Sequence, residues 1–165
     1  MDESLRRRGR RHWSQRVLVS IGAGAAVIGM SAVAPGVAAQ QAATGGRSAW
    51  DGVFTDVQAD RGEREYGRTC AHCHGLSLEG DGAREIPALV SDPFLRHWRG
   101  RPVEALFDTL MRSMPADDRG TLTPRATADM IAYLLRANGA PAGEMPLPSD
   151  REALAALVIE RPPSP

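Results

Sequence analysis

Five consecutive residues, Cys70-Ala71-His72-Cys73-His74, bring together groups that can do specific chemistry. The pattern Cys-x-x-Cys-His reads as the covalent attachment site of a c-type haem. On a helical turn Cys70 and Cys73 stand at i and i+3 on one face, where both thiols reach the two vinyl groups of one porphyrin edge. His74, at i+4 from Cys70, then sets an imidazole under the ring as the proximal axial ligand of the iron. Two other chemistries fit the same cysteines less well. A redox-active dithiol usually opens the helix of a strand-helix-strand unit, and no strand pattern precedes Cys70. A structural zinc site needs four ligands, whereas these are the only two cysteines and His72 and His74 point to different sides of the turn.

The elements that must position this turn are helical. Thr55 with Gln58 three residues later forms a capping box that starts a helix near Asp56, after the apolar Trp50, Val53 and Phe54. Gly62, Tyr66 and Cys70 follow at four-residue intervals and share one face. Gly62 and Gly67 each weaken the helix by ~1 kcal/mol relative to alanine, a cost offset only where glycine permits close helix contact. Beyond His74, Gly75, Gly80 and Gly82 with Glu79 and Asp81 describe a solvated loop. Residues 86–90 are apolar around Pro87, which blocks helix, and form either a strand-like piece or a loop lining a cofactor. Ser91 or Asp92 with Pro93 starts a short helix in which Phe94 and Trp98 are core aromatics. A further helix runs from residue 103 to about 112, with Val103, Leu106, Phe107, Leu110 and Met111 at helical spacing. It ends at Met114-Pro115, which leaves Met114 in extended backbone from which its side chain can reach a ligand. Thr123 and Pro124 open the last long helix, closed by Asn138-Gly139, and its face of Met130, Ile131, Leu134 and Leu135, with Tyr133 beside it, is expected across the first helix. A second capping box, Ser149 to Glu152, starts a short helix near the C-terminus.

The 165 residues allow one domain once the ends are removed. Residues 1–39 have the layout of a secretory signal: arginines up to Arg16, an uncharged Ala- and Gly-rich run, and the small residues Val37 and Ala39 before a cleavage expected after Ala39. The alternative is an inner-membrane anchor formed by residues 17–39. Both put the rest of the chain outside the cytoplasm, in the periplasm. Residues 40–52 read as a flexible lead-in, 53–143 as the haem-bearing domain, and 144–165 as a tail with a short helix. The formal net charge of zero conceals an asymmetry, because six arginines and only two acids precede residue 40. The remaining 14 arginines face 18 acids, lysine is absent throughout, and no basic cluster supports nucleic-acid binding.

Taken together, the Cys70-Ala71-His72-Cys73-His74 turn, the Pro87-x-Leu89 segment, the Phe94 and Trp98 pair, Met114-Pro115 after a helix and a terminal helix with Tyr133-Leu134 resemble a class I monohaem cytochrome c. Within that family the stretch from Val53 to Gly143 is similar to small periplasmic cytochromes that serve alcohol and other quinone-cofactor dehydrogenases. The resemblance implies an all-α fold of small helices wrapped around one covalent haem c. It implies that Cys70 and Cys73 hold the haem, that His74 is the proximal ligand and Met114 the distal one, and that Pro87 offers its carbonyl to the other ring nitrogen of His74. Trp98 is expected at the cofactor, and Gly62 and Tyr66 where the terminal helix crosses. The chain departs from the family in Arg96, Arg99 and Arg101, which are open to propionates or to a partner.

Competition for the sixth ligand points the same way. Met111 and Met130 fall on apolar helix faces, Met145 lies in a Pro-rich stretch, and His72 sits inside the attachment turn. His97 is the remaining rival of Met114. With both axial positions filled by protein, the expected role is electron transfer rather than enzymatic catalysis, with a periplasmic dehydrogenase and a terminal oxidase or other cytochrome as redox partners. The alternatives are a haem-bearing subunit of a dehydrogenase complex and a five-coordinate haem enzyme or gas sensor.

Overall fold

In the computed structural model residues 46–160 are described. The signal sequence, its cleavage site, the anchor alternative and the Pro-rich end at 161–165 lie outside them. Six α-helices follow in order: α1 (Asp56–Thr69), α2 (Ala71–His74), α3 (Ser91–Trp98), α4 (Val103–Ser113), α5 (Pro124–Ala137) and α6 (Arg151–Ala155). The strands β1 (Arg47–Ser48) and β2 (Leu157–Val158) pair in parallel, Arg47 opposite Leu157. No helix among the described residues is long and apolar enough to cross a membrane.

Local chemistry sets the helix ends. Thr55 Oγ1 accepts from the Gln58 backbone N–H at 3.2 Å, and Thr123 Oγ1 does the same for Ala126 at 3.2 Å with Pro124 in the first turn. The expected reciprocal half of the first capping box is not made. Gln58 instead turns its amide to the backbone of Leu147, donating to its carbonyl at 3.0 Å and accepting from its N–H at 2.6 Å. For α6 the cap is Asp150, which accepts from Ala153 N–H at 2.9 Å, and not Ser149 as the capping-box reading had it.

The centre of the fold is the crossing of α1 and α5. A Cβ on Gly62 would stand 1.9 Å from the Asp129 carbonyl oxygen and 3.0 Å from Met130 Cα, so only glycine allows the two backbones to meet there. Gly67 has no such reason, because nothing lies within 4 Å of its missing Cβ. Around the contact Arg61 grips Asp129 in a bidentate pair at 2.8 and 2.9 Å, and Arg136 reaches Asp60 at 2.6 Å and Glu63 at 2.9 Å. The Tyr66 and Tyr133 rings tilt together at 5.4 Å between centroids.

Two segments expected to stand apart from the domain are built into it. Residues 46–52, read as a flexible lead-in, supply β1 and bury Ala49 and Trp50. The tail buries Leu154 and Ile159 completely, and Ile159 exchanges backbone hydrogen bonds with Gly100 (2.7 Å) and Arg101 (2.9 Å). Arg151 of α6 pairs with Asp108 (2.6 Å) and Glu104 (2.8 Å) of α4, and Arg112 also holds Asp108 at 3.0 Å. A chain of apolar burial closed by a paired, largely buried carboxylate makes the tail a brace on α4.

Candidate haem site

Helix α1 ends at Thr69 and delivers the attachment turn. Cys70 is its C-cap and the N-cap of α2, and the His74 N–H donates to the Cys70 carbonyl at 2.9 Å. Both cysteines carry free, half-buried thiols. Burial pushes the Cys70 thiol above its ordinary value, opposed by the Thr69 hydroxyl at 3.4 Å and reinforced by Glu65 and Cys73. Cys70 Sγ also lies 3.8 Å from Met130 Sδ, which ties the turn to the α1–α5 crossing.

His74 is buried, and its Nδ1 lies 3.0 Å from the Pro87 carbonyl oxygen. A carbonyl can only accept, so the bond fixes the proton on Nδ1 and leaves the Nε2 lone pair without a hydrogen-bond partner among the described residues. This is the tautomer an imidazole needs to bind a metal through Nε2. The Pro87 segment is a loop and not a strand. Asp81 and Ile86 exchange backbone bonds at 2.9 Å in an isolated bridge, Leu89 N–H donates to Leu78 O at 2.8 Å, and Gly80, at φ +70°, lies where a Cβ would meet Ile86 O at 2.5 Å. Tyr66 holds the other flank of the turn by donating its hydroxyl to the Gly75 carbonyl at 2.6 Å.

Met114 caps α4 in extended backbone, φ −122° and ψ 148°, as the following proline demands. Its loop returns to the attachment turn, where Asp117 approaches His72 Nε2 at 3.6 Å. Met130 is buried in the packing as expected, whereas Met111, its sulfur 3.1 Å from the Thr127 hydroxyl, is only partly covered. His97 accepts from Arg101 at 3.2 Å and stands edge-on to Trp98 at 4.7 Å between centroids. Trp98 itself is buried against Phe94 with the Arg101 guanidinium 4.8 Å over its ring, and these neighbours belong to α3 and its C-terminal turn. Leu89 and Val90 beside Pro87, and Leu110 and Met111 beside Met114, are apolar side chains only partly covered by the core.

Two residues of the site escaped the sequence reading. Tyr66 was legible as a helix-crossing residue but not as a donor to Gly75. Asn138 was legible as a helix stop, while its side chain also binds the backbone at Leu89 and Ser91. Asparagine just before glycine at a helix end already accounts for the stop, so no pattern in the chain signals the second role.

A helical domain that presents two thiols and an Nε2-free imidazole on one turn has the donor set of a haem-bearing electron-transfer protein. Residues 57–134 match the family model of cytochrome c oxidase, cbb3-type, subunit III. Among solved structures, the sulfane dehydrogenase SoxCD from Paracoccus pantotrophus is similar at 24% identity and a TM-score of 0.42, over 67% of this chain and 62% of that one. No curated protein matches the sequence.

Proposed function

We propose that this protein is an exported, one-haem electron carrier. Cys70 and Cys73 hold haem c through thioether bonds, His74 and Met114 are the axial ligands, and single electrons pass between a periplasmic dehydrogenase and a respiratory acceptor. The observation that carries the reading is the His74 imidazole, locked by Pro87 with Nε2 open, on the turn that offers both thiols. A bound haem supplies the one-electron iron(III)/iron(II) couple. The chain's part is to orient the imidazole, to keep the proton on Nδ1, and to present a thioether from the end of α4. A methionine ligand favours a higher potential than a second histidine, which suits acceptance of electrons from a dehydrogenase. The partly covered Leu89, Val90, Leu110 and Met111 offer apolar surface of the kind a porphyrin covers.

Export rests on residues 1–39, with the anchored form as its alternative. Mass measurement of the exported protein tests signal removal and the addition of one haem together. Met114→Ala tests the distal ligand: the expected result is loss of the methionine-to-iron band of the oxidised protein with the helical fold retained. An unchanged band would hand the position to another residue, His97 first. The family model's description as an oxidase subunit favours a second reading, a haem-bearing subunit of a larger redox complex. Gel filtration of a native extract separates the two, since the carrier elutes as a small protein and the subunit does not.

A further inference from the structure

We propose that Asn138 is a positioning residue for the proximal ligand, acting through the loop that carries Pro87. The inference rests on the reading that His74 binds haem iron. Asn138 is buried at the end of α5, and its amide is fully used. It donates to the Leu89 carbonyl at 3.0 Å and to the Leu134 carbonyl at 2.8 Å, and it accepts from the Ser91 N–H at 2.9 Å. One side chain therefore reads the C=O of residue 89 and the N–H of residue 91, and anchors both to a helix whose last turn it also closes. Ser91 needs that support, because it holds a left-handed φ of +64° that a serine rarely adopts.

Pro87 lies between fixed points. Upstream, Ile86 is bridged to Asp81; downstream, Leu89 is held by Leu78 through its N–H and by Asn138 through its carbonyl. Only Ala88 separates Pro87 from the fixed Leu89 and nothing separates it from the fixed Ile86, and the Pro87 carbonyl is the group that meets His74 Nδ1 at 3.0 Å. Releasing Asn138 frees Leu89 and Ser91 together, so the carbonyl drifts and the bond to the imidazole weakens. An imidazole with a weaker bond at Nδ1 is a poorer electron donor through Nε2 and stabilises the oxidised iron less.

Asn138→Ala and Asn138→Asp are to be compared with the wild-type haem protein from a host competent in cytochrome maturation. The readouts are solvent exchange of the His74 Nδ1 proton by NMR, the reduction potential, and the melting temperature. In Asn138→Ala the ring proton exchanges several-fold faster and the potential moves upward. Asn138→Asp retains the acceptor for Ser91 but sets a carboxylate oxygen against the Leu89 and Leu134 carbonyls in place of both donors, so its ring proton exchanges at least as fast as in Asn138→Ala. Asp150→Ala, which removes only the α6 cap, lowers the melting temperature and leaves proton exchange and potential at the wild-type values. If both Asn138 variants lower the melting temperature while proton exchange and potential stay unchanged, Asn138 does no more than stop α5 and the proposal is overturned. Should the alanine variant fail to mature, the aspartate variant decides on the same readouts. A colourless wild type overturns the haem reading itself, and is told apart because it precedes any variant.

Discussion

Two glycines on one helix should respond to the same substitution with opposite signs. Alanine in place of glycine within a helix gains about 1 kcal/mol from propensity alone. At Gly67, where the added methyl meets nothing within 4 Å, that gain is kept whole. At Gly62 the methyl would stand 1.9 Å from the Asp129 carbonyl oxygen and 2.5 Å from its carbon, against an ordinary contact of roughly 3.5 Å. The partner is backbone of α5 and cannot rotate away, so the helices must separate by more than an ångström. Overpacking of this kind costs about 1–3 kcal/mol and at times more. Here the separation also stretches the Arg61–Asp129 pair and the contact of Cys70 with Met130. The net for Gly62→Ala is a loss of about 2 kcal/mol, while Gly67→Ala gains about 1 kcal/mol. For a domain of this size roughly 4 °C of melting temperature accompanies each kcal/mol. Thermal melts followed by circular dichroism should therefore show a fall of about 8 °C for Gly62→Ala and a rise of about 4 °C for Gly67→Ala. Equal shifts in the two variants would refute the close crossing of α1 and α5.

Two further outcomes follow from single side chains. Gln58→Ala leaves the Leu147 N–H and C=O buried without partners, which costs about 2–4 kcal/mol and loosens the tail from α1. Limited proteolysis should then cut near residue 147 before any site in α1 or α5, and uniform resistance would refute the tie. Burial holds the Tyr66 phenol above its ordinary 10.0, with the charges of Tyr133 and Glu79 adding to it, and burial raises Tyr133 as well. The folded chain keeps protons that the unfolded chain releases, so this contribution is complete below pH 10 and is lost as pH rises above it. Phenolate absorbance should appear only beyond the ordinary range and together with unfolding, and Tyr66→Phe should flatten the alkaline limb of the stability profile. Ordinary phenol titration in a folded protein would contradict it.

The sequence carried the site's chemistry further than its support. Cys70, Cys73, His74 and Met114 are read from local rules, a fixed spacing and a proline that forbids helix, and those rules act on neighbours in the chain. The helices α1, α4 and α5 were legible for the same reason, through caps and apolar spacing. What stayed hidden depends on groups far apart in sequence. Gln58 has the form of a capping-box partner, but Leu147, 89 residues away, claims its amide. The strands β1 and β2 hold two residues each, too few for any alternation to show, so the lead-in and the tail read as loose ends.

That hidden layer changes what the tail is for. Met114 stands at the C-terminal end of α4, and α4 is gripped from outside by Arg151 through Glu104 and Asp108. The same tail is fastened to α1 through Gln58, and α1 ends in the attachment turn. The helix that leads to the proposed distal ligand and the helix that leads to the proximal one thus share a brace outside the core crossing. If Met114 and His74 hold one haem as proposed, their separation depends on how α1 and α4 are held relative to each other, and residues 147–159 add to the packing of both helices on α5 by fastening each of them to the tail.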